Sequence, residues 1–329
     1  TIIGDIPVAE LSTDHLDDFA SILPKLPPNM TKKMAMSDMT ISDILALNLP
    51  PRSVVTTNKG FANVKAVISW LNIRGKTTVN AGVIENLEVT TQGDESKRRA
   101  WDPSELQTLF NGYIWRYDDK AIGKSRSNEK TSDHHFWVPL IGLFTGARLE
   151  EICSLKASEI TEIEGVWCFN MPYYDKVTGK KIKKNRSSAR VIPVHSELKR
   201  LGLIGYAQRR EAQEEVMLFD GVVLQQDKFS QAVSKWFNRT LKNKLGLPVG
   251  DNSVVFHSFR NNVIDIFEES DLTEAEYSRV TGHTTGGIAS NTYAFKGKKI
   301  YPPRKLVAII ETISYPELDL AHVNYEQFV

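Results

Sequence analysis

Cysteine and long apolar runs are scarce in this chain. Only Cys153 and Cys168 occur in 329 residues, which is too few for the disulfide framework of a secreted protein and fits a reducing compartment. We expect both to be buried free thiols. No run of about 18 apolar residues occurs, so no segment is predicted to span a membrane. The opening stretch is acidic and broken by Pro7, unlike a signal peptide. The chain does not start with Met, which is compatible with a piece of a longer protein.

Signatures of nucleotide and metal chemistry are also missing. There is no P-loop, and no clustered carboxylates suggest a nuclease that uses two metal ions. His134 and His135 are adjacent, but no third ligand lies at a suitable spacing. The pair is therefore interpreted as a solvated helix start rather than a metal site. We expect neither a metal nor a cofactor.

Charge is nearly balanced overall but unevenly distributed. A net charge of +1 gives no global argument for a nucleic-acid partner. Residues 176–190, however, carry no acid, and a second basic cluster lies at 296–305. Such local density suits a phosphate backbone, although a solvated loop is the alternative for either cluster. The cations of the first run are Lys176, Lys180, Lys181, Lys183, Lys184, Arg186 and Arg190.

Hydrophobic spacing predicts two domains that meet near residue 98. Residues 1–97 form mostly helices, the first capped by Thr13 or Asp14. A polar stretch then leads to a helix for which Asp102 is the cap, Pro103 lies in the first turn and Glu105 completes a capping box. Residues 98–329 mix helices with a few strands. The expected fold is mainly α with a small antiparallel sheet.

Strands in the second domain are predicted on either side of the basic run. The segments "EITEIEGVWCFNM" and "ARVIPV" each have the pattern of a strand. The lysines between them are therefore expected at the tip or loop of a β-hairpin. Trp101, Trp115 and Trp137 are expected in the core or in packing between the domains.

The stretch "FHSFRNNVIDIF" at 256–267 has an unusual helix start. Phe259, Val263, Ile266 and Phe267 form an apolar stripe at helical spacing. His257 and Arg260 are three residues apart and so share a flank beside that stripe. A phosphate would satisfy both, because an arginine fork matches its oxygens and a helix start favours anions. Taken alone, the stretch fits a buried structural histidine with a surface arginine better.

Other segments supply chemically matched side chains. Arg148 follows a glycine turn into a helix, and Glu151 is three residues further on, where it could orient that arginine. His283 follows Gly282 directly, and Tyr293 comes ten residues later. Together with Arg260, His257 and a hairpin lysine, these residues make a phosphoryl-transfer set that requires no metal.

This ordered set resembles the tyrosine recombinases of the phage-integrase family. That family has a T-G-x-R-x-x-E box, a hairpin lysine, an H-x-x-R box, a G-H box and a downstream tyrosine. Here they are "TGARLEE", "KKNRSSARVIP", "HSFR", "TGH" and "NTY", in that order. The resemblance covers residues 98–329 well, whereas residues 1–97 resemble a core-binding domain more weakly. Asn261 departs from the histidine found in many relatives, and we expect no effect on chemistry.

The resemblance implies a role for each matched residue. Tyr293 would attack a scissile DNA phosphate and form a 3′-phosphotyrosyl link, while Glu151 braces the site. Arg148 and Arg260 would hold the non-bridging oxygens, and His283 would donate to the phosphate. His257 would hydrogen-bond the phosphate or take the tyrosine proton. Lys184, with Lys183 as the alternative, would protonate the departing 5′ oxygen.

Partners and location also follow from the resemblance. Double-stranded DNA is the expected partner, held by a helical DNA-clamp domain at 1–97 and a catalytic domain at 98–329. The C-terminal stretch "LVAIIETISYPELDLAHV" would dock on a neighbouring protomer and favour a homotetramer on paired DNA sites; packing in cis is the alternative. The expected location is the bacterial cytoplasm, on the nucleoid when bound to DNA.

Three other functions stay open on the residues alone. Type IB topoisomerases, which relax DNA without exchanging strands, use the same constellation. A DNA-binding protein could recognise a site without cutting it. A metal-free RNase could use His257 and His283 as acid and base.

Overall fold

The computed structural model describes most of the chain in two compact units. They comprise Thr1–Lys97 and Arg98–Val329. The described residues are 2–30, 36, 38–79, 82, 99–116, 132–172, 189–250, 253–282 and 302–328. Among the described helices, none has both the length and the apolar character needed to cross a bilayer.

The first unit is helical in its described parts. Its helices are α1 (Thr13–Ile22), α2 (Ile41–Ala46) and α3 (Val54–Ile73). A small core includes Leu16, Phe61 and Ile68. The predicted cap of α1 was wrong by one residue or two: Ser12 has extended backbone angles, and its hydroxyl accepts from the amide of His15. That hydroxyl therefore satisfies an amide that would otherwise lack a partner at the helix start.

Helices dominate the second unit. Asp102 caps α4 in a capping box with Glu105, as predicted. Trp101, Trp115 and Trp137 are all buried in the core of this unit, as are the free thiols of the two cysteines. The helices are α4 (Pro103–Phe110), α5 (Asp133–Thr145), α6 (Leu149–Cys153), α7 (Ser196–Arg200), α8 (Leu203–Ala212), α9 (Ser230–Lys235), α10 (Lys242–Lys244), α11 (Ser258–Glu269), α12 (Glu274–Thr281), α13 (Pro303–Ile310) and α14 (Tyr325–Phe328). A π-helical segment, Trp236–Leu241, connects α9 to α10.

One antiparallel sheet completes the second unit. Its strands are β1 (Ile160–Ile163), β2 (Val166–Met171) and β3 (Arg190–Pro193), in the order β1-β2-β3. The segment "EITEIEGVWCFNM" was expected to be one strand, but it forms two. Glu164 and Gly165 both have positive φ, 51° and 78°, which is the geometry of a tight hairpin turn. Residues 173–188, between β2 and β3, lie outside the described part. The predicted fold class, mainly α with a small antiparallel sheet, is confirmed.

The C-terminal stretch packs against its own unit. Ile313, Val323 and Tyr325 are buried in the main core. The Tyr325 hydroxyl donates to Asp133 Oδ1 over 2.8 Å, and the Tyr315 hydroxyl donates to the Leu143 carbonyl over 2.9 Å. Packing in cis, the alternative to docking on a neighbour, is therefore what the structure shows. The apolar surface that was expected to favour a homotetramer is already buried within the chain.

Candidate active site

Four chain segments meet at the predicted site. Helix α5 ends at Gly146, whose φ of 60° turns the chain so that Arg148 can start α6. Arg260 lies in the first turn of α11, and Arg190 begins β3. Helix α12 ends at Gly282, which again has a positive φ, 69°. Two left-handed glycine caps thus bring carbonyl groups and arginines together, because glycine adopts this conformation without steric cost.

Glu151 links two of the arginines. Its Oε1 accepts from Arg148 Nη1 and from Arg190 Nη1, both over 3.1 Å. Its Oε2 accepts from the Arg148 amide and from Arg190 Nη2, both over 2.9 Å. The Glu151 side chain is 6% exposed and that of Arg190 is 5% exposed, whereas that of Arg148 is 40% exposed. The carboxylate therefore links a half-open arginine to a closed one; that it braces a catalytic site stays a prediction.

The charge of Glu151 is held by its neighbours. Burial alone would raise the pKa of its carboxyl group. The charge and hydrogen bonds of Arg190, with the amide and charge of Arg148, outweigh burial and lower that pKa from 4.5 to about 2. Glu151 is thus ionised at any pH near neutrality.

Arg260 is buried at the centre of the cluster. Its Nη1 donates to the Gly146 carbonyl over 2.9 Å and to the Thr281 carbonyl over 2.5 Å. Its Nη2 is also buried, and within the described part of the chain it has no hydrogen-bond partner. Burial, followed by the positive charges of Arg148 and Arg190, lowers the pKa of Arg260 from 12.5 to about 10. An unfilled guanidinium donor in such a place calls for an anionic acceptor.

Arg148 and Arg260 converge on adjacent residues. Both terminal nitrogens of Arg148 lie 3.4 Å from the Gly282 carbonyl oxygen, one residue beyond the Thr281 carbonyl that Arg260 binds. Three arginines and one glutamate leave the described cluster with an excess of two positive charges (3 − 1). This positive charge, together with the Arg260 Nη2 that has no partner among the described residues, suits an anion with two acceptor oxygens, such as a phosphate.

The burial of His257 and Arg260 is the reverse of what the stretch alone predicted. His257 is the N-cap of α11 and is exposed, while Arg260 is buried. The reason is the phase of the helix: Arg260, Val263 and Phe267 lie at i, i+3 and i+7 on the buried face. The alternative of a buried structural histidine with a surface arginine is therefore wrong.

The side chain of Arg190, the last cation of the basic run, is buried and paired with Glu151. This residue was grouped with the DNA-binding cations, but the structure buries its side chain against Glu151, with Nε donating to the Val280 carbonyl over 2.6 Å. Arg190 therefore belongs to the arginine cluster rather than to an exposed basic surface. Several predicted residues lie outside the described part: Lys176, Lys180, Lys181, Lys183, Lys184, Arg186, His283 and Tyr293.

A polar groove beside His257 was missed at the sequence level. Lys228, Lys235 and Arg239 line it together with His257. Lys235 and Arg239 are four residues apart, and that spacing on a predicted helix was a signal that could have been used. The groove therefore adds three cationic side chains near the start of α11.

The His134–His135 pair does not form the solvated helix start that was predicted. His134 is buried and its Nδ1 lies 3.0 Å from the Asp220 carbonyl, while His135 packs on Trp236 with ring centroids 4.0 Å apart. Burial, followed by the neighbouring His134, lowers the pKa of His135 from 6.5 to about 3. Among the described residues, no group of three potential ligands is placed to hold a metal ion.

Comparisons with known proteins give structural neighbours only. No protein-family model matches the chain, and no curated protein does. The Tn1549 transposon integrase, in complex with circular intermediate DNA, is 14% identical; the match covers 90% of this chain and 84% of that one, with a TM-score of 0.47. A lambda integrase dimer bound to a COC′ core site gives the same values. The Tn1549 integrase with transposon right end DNA is 16% identical, with 82% and 86% covered and a TM-score of 0.46. The three solved structures named here are integrases in complex with DNA.

Proposed function

We propose that this chain is a site-specific DNA recombinase that cuts and rejoins DNA through a covalent link to Tyr293. One observation carries the proposal: Arg260 is buried, its Nη2 has no hydrogen-bond partner among the described residues, and the half-open guanidinium of Arg148 belongs to the same cluster. A phosphodiester is an anion that both groups can bind through its non-bridging oxygens. The ordered motifs from Arg148 to Tyr293 supply the remaining groups for phosphoryl transfer.

The arginines would act mainly in the transition state. Negative charge builds on the two non-bridging oxygens as the nucleophile approaches, and fixed donors stabilise that charge without reorganising. Each donor of this kind is typically worth about 3 kcal/mol of activation free energy. Arg260 is fixed by two carbonyls and Arg148 by Glu151, so both are oriented before DNA arrives.

The chemical step exchanges one phosphoester bond for another. Tyr293 Oη bonds to phosphorus while the bond from phosphorus to the 5′ oxygen breaks. The phenolic proton passes to His257, whose exposed imidazole lies at the start of α11. The departing oxygen takes a proton from Lys184, or from Lys183 as the alternative, and His283 donates to the phosphate. Rejoining is the reverse reaction, so no cofactor or metal is needed to conserve the bond energy.

DNA is the partner that the charges favour. Lys176, Lys180, Lys181 and Arg186 would contact the phosphate backbone as part of the basic run, and the groove lined by Lys235 would offer further cationic contacts. Residues 1–97 would act as the DNA clamp and 98–329 as the catalytic domain. A homotetramer on paired sites and a bacterial cytoplasmic location, on the nucleoid when DNA is bound, remain predictions from the family resemblance.

Trapping the covalent intermediate tests the proposal. A pool of labelled duplexes of random sequence, each with a nick that prevents religation, is incubated with the protein in EDTA and then denatured. We expect a labelled protein–DNA adduct that enriches particular sequences and disappears in Tyr293→Phe, but persists in Tyr301→Phe as the matched control.

Other outcomes identify the alternatives. Plasmid relaxation without sequence enrichment would indicate a type IB topoisomerase. Retention of duplex without an adduct would indicate a binding protein that does not cut. Cleavage of RNA alone, unchanged in Tyr293→Phe, would indicate an RNase. Any of these three results would refute the recombinase.

A further inference from the structure

Residues 253–256, which lead into His257, belong to no helix or strand, yet each forms a hydrogen bond with a distant side chain. Residues 253–256 precede the first turn of α11 and lack the repeating hydrogen bonds of a helix or strand. Side chains from three other places bind them instead. The bonded pairs are Lys242 with Ser253 and Val254, Trp101 with Val255, and Asn238 with Phe256.

Lys242 is the least expected member of this group. Its side chain is completely buried, and its Nζ donates to the Val254 carbonyl and, over 3.3 Å, to the Ser253 hydroxyl. Within the described part of the chain, no carboxylate is close enough to form an ion pair with it. The negative charge of Glu105 and the Trp101 ring, whose centroid lies 6.0 Å from Nζ, offset part of the cost of burying this ammonium. Its hydrogen bonds end on the loop rather than on its own helix.

Trp101, which precedes the loop by 154 positions in the sequence, binds the same loop. Its Nε1 donates to the Val255 carbonyl over 3.2 Å, and its ring stacks on Phe259 with centroids 5.3 Å apart. Its backbone amide and carbonyl both pair with the side chain of Asn262, over 2.9 and 2.8 Å. One residue thereby ties the loop to the helix that carries Arg260.

Asn238 fixes the last residue before His257. Its Oδ1 accepts from the Phe256 amide over 2.9 Å, while its Nδ2 donates to the Ser234 carbonyl over 3.0 Å. Asn238 lies in the π-helical segment, a kind of element that is frequent at functional sites. Its amide group is oriented from both ends, so the position of the Phe256 nitrogen is closely set.

We propose that Lys242, Trp101 and Asn238 form a clamp that positions His257 to accept the phenolic proton of Tyr293 beside the scissile phosphate. The proposal rests on the proposed recombinase function. His257 follows residues 253–256 directly and begins the first turn of α11, so the position of its backbone depends on the residues immediately before it. Three tertiary hydrogen bonds to consecutive residues supply that constraint. The three residues are positioning residues and do not touch DNA in this role.

The test compares Lys242→Met with Lys244→Met. Methionine keeps the apolar stem but removes the ammonium, and Lys244 lies on the same short helix with an exposed side chain. Rates of adduct formation are measured in single turnover at saturating duplex, well below the unfolding temperature. We expect the rate to fall by roughly 10- to 100-fold in Lys242→Met, the scale of a misplacement of about 1 Å, with duplex affinity changed less than about 3-fold. Lys244→Met should match the wild type.

Two further measurements separate positioning from a merely structural role. Hydrogen exchange of a peptide covering 253–260 should speed up in Lys242→Met while the rest of the unit keeps its protection. Trp101→Phe keeps an aromatic ring beside Phe259 but removes the donor to Val255 together with part of the buried indole, so its rate is compared at matched folded fraction; it serves if Lys242→Met fails to fold. It should show the same loss of rate at unchanged duplex affinity.

The outcomes distinguish the two proposals. A wild-type chain that never forms an adduct refutes the recombinase, and the clamp with it. A wild type that forms the adduct, with Lys242→Met or Trp101→Phe equally fast, overturns the clamp alone. A loss of rate that only follows the unfolded fraction, or an equal loss of duplex affinity, also overturns it.

Discussion

Replacing Glu151 by glutamine should weaken the second unit because it leaves Arg190 buried without a counter-charge. Arg190 is 5% exposed and its guanidinium is bonded to both carboxylate oxygens. Removing one partner of a buried ion pair typically costs about 3–5 kcal/mol. A pKa that falls from 4.5 to about 2 corresponds to about 3.4 kcal/mol of stability above pH 5. We therefore expect Glu151→Gln to lower the free energy of unfolding by about 3 kcal/mol near neutral pH.

The same substitution predicts a particular dependence on pH. The pKa of Glu151 is lower in the folded state than in the unfolded one, so its stabilisation is complete above about pH 5 and is lost as pH falls towards 2. By pH 3 about 2 kcal/mol of the difference between wild type and Glu151→Gln should have disappeared. The two proteins should therefore become more similar in acid.

Urea unfolding followed by tryptophan fluorescence measures this difference. Five of the six tryptophans lie in the second unit (Trp70 is the exception), so the signal reports mainly on that unit. Glu150→Gln is the matched control: this neighbour accepts from the amides of Phe229 and Ser230 rather than from an arginine. A neutral-pH difference below about 1 kcal/mol for Glu151→Gln, or one that stays constant down to pH 3, would refute the reasoning.

Three further substitutions test other parts of the second unit. Gly142→Ala would place a Cβ 2.7 Å from Phe256 Cζ. Although alanine stabilises most helices, this clash should lower the free energy of unfolding by about 1–3 kcal/mol, measured by urea titration. A gain in stability would contradict the packing. Tyr325→Phe removes a hydroxyl bonded to Asp133 and should cost about 1.5–3 kcal/mol, seen as a lower Tm; an unchanged Tm would show that the C-terminal segment is not fastened there. Arg260→Lys should slow adduct formation by about 100-fold at saturating duplex, because a lysine lacks the second arm of the fork; a wild-type rate would remove Arg260 from the site.

Local chemistry accounts for what the sequence predicted well. The cap at Asp102, the glycine end at Gly146 and the pairing of Arg148 with Glu151 all involve residues three or four apart. Such contacts are set by helix geometry and can be inferred from spacing alone. The apolar stripe of α11 was predictable for the same reason.

Long-range contacts account for what the sequence did not show. Arg190 reaches Glu151 across 39 positions, from the start of β3 to helix α6, and only the tertiary fold brings them together. In the sequence, Lys242 has the pattern of a solvated lysine on a basic helix. In the structure, its Nζ donates to the Val254 carbonyl. The depth of Arg260 was in principle readable from its place on the stripe with Val263. The assumption that a charged side chain stays at the surface concealed it.

The cis packing of the C-terminal segment sets a limit on where Tyr293, the proposed nucleophile, can act. Helix α12 ends at Gly282 and α13 begins at Pro303, and both helices are part of one folded unit. Tyr293 is therefore tethered at both ends to the body that holds Arg260. Tyr293 lies eleven positions after Gly282, and a fully stretched chain covers at most about 40 Å over eleven steps. A tyrosine delivered to another protomer's DNA must find its phosphate within that radius, so any assembly that exchanges strands in trans has to bring the two catalytic bodies that close.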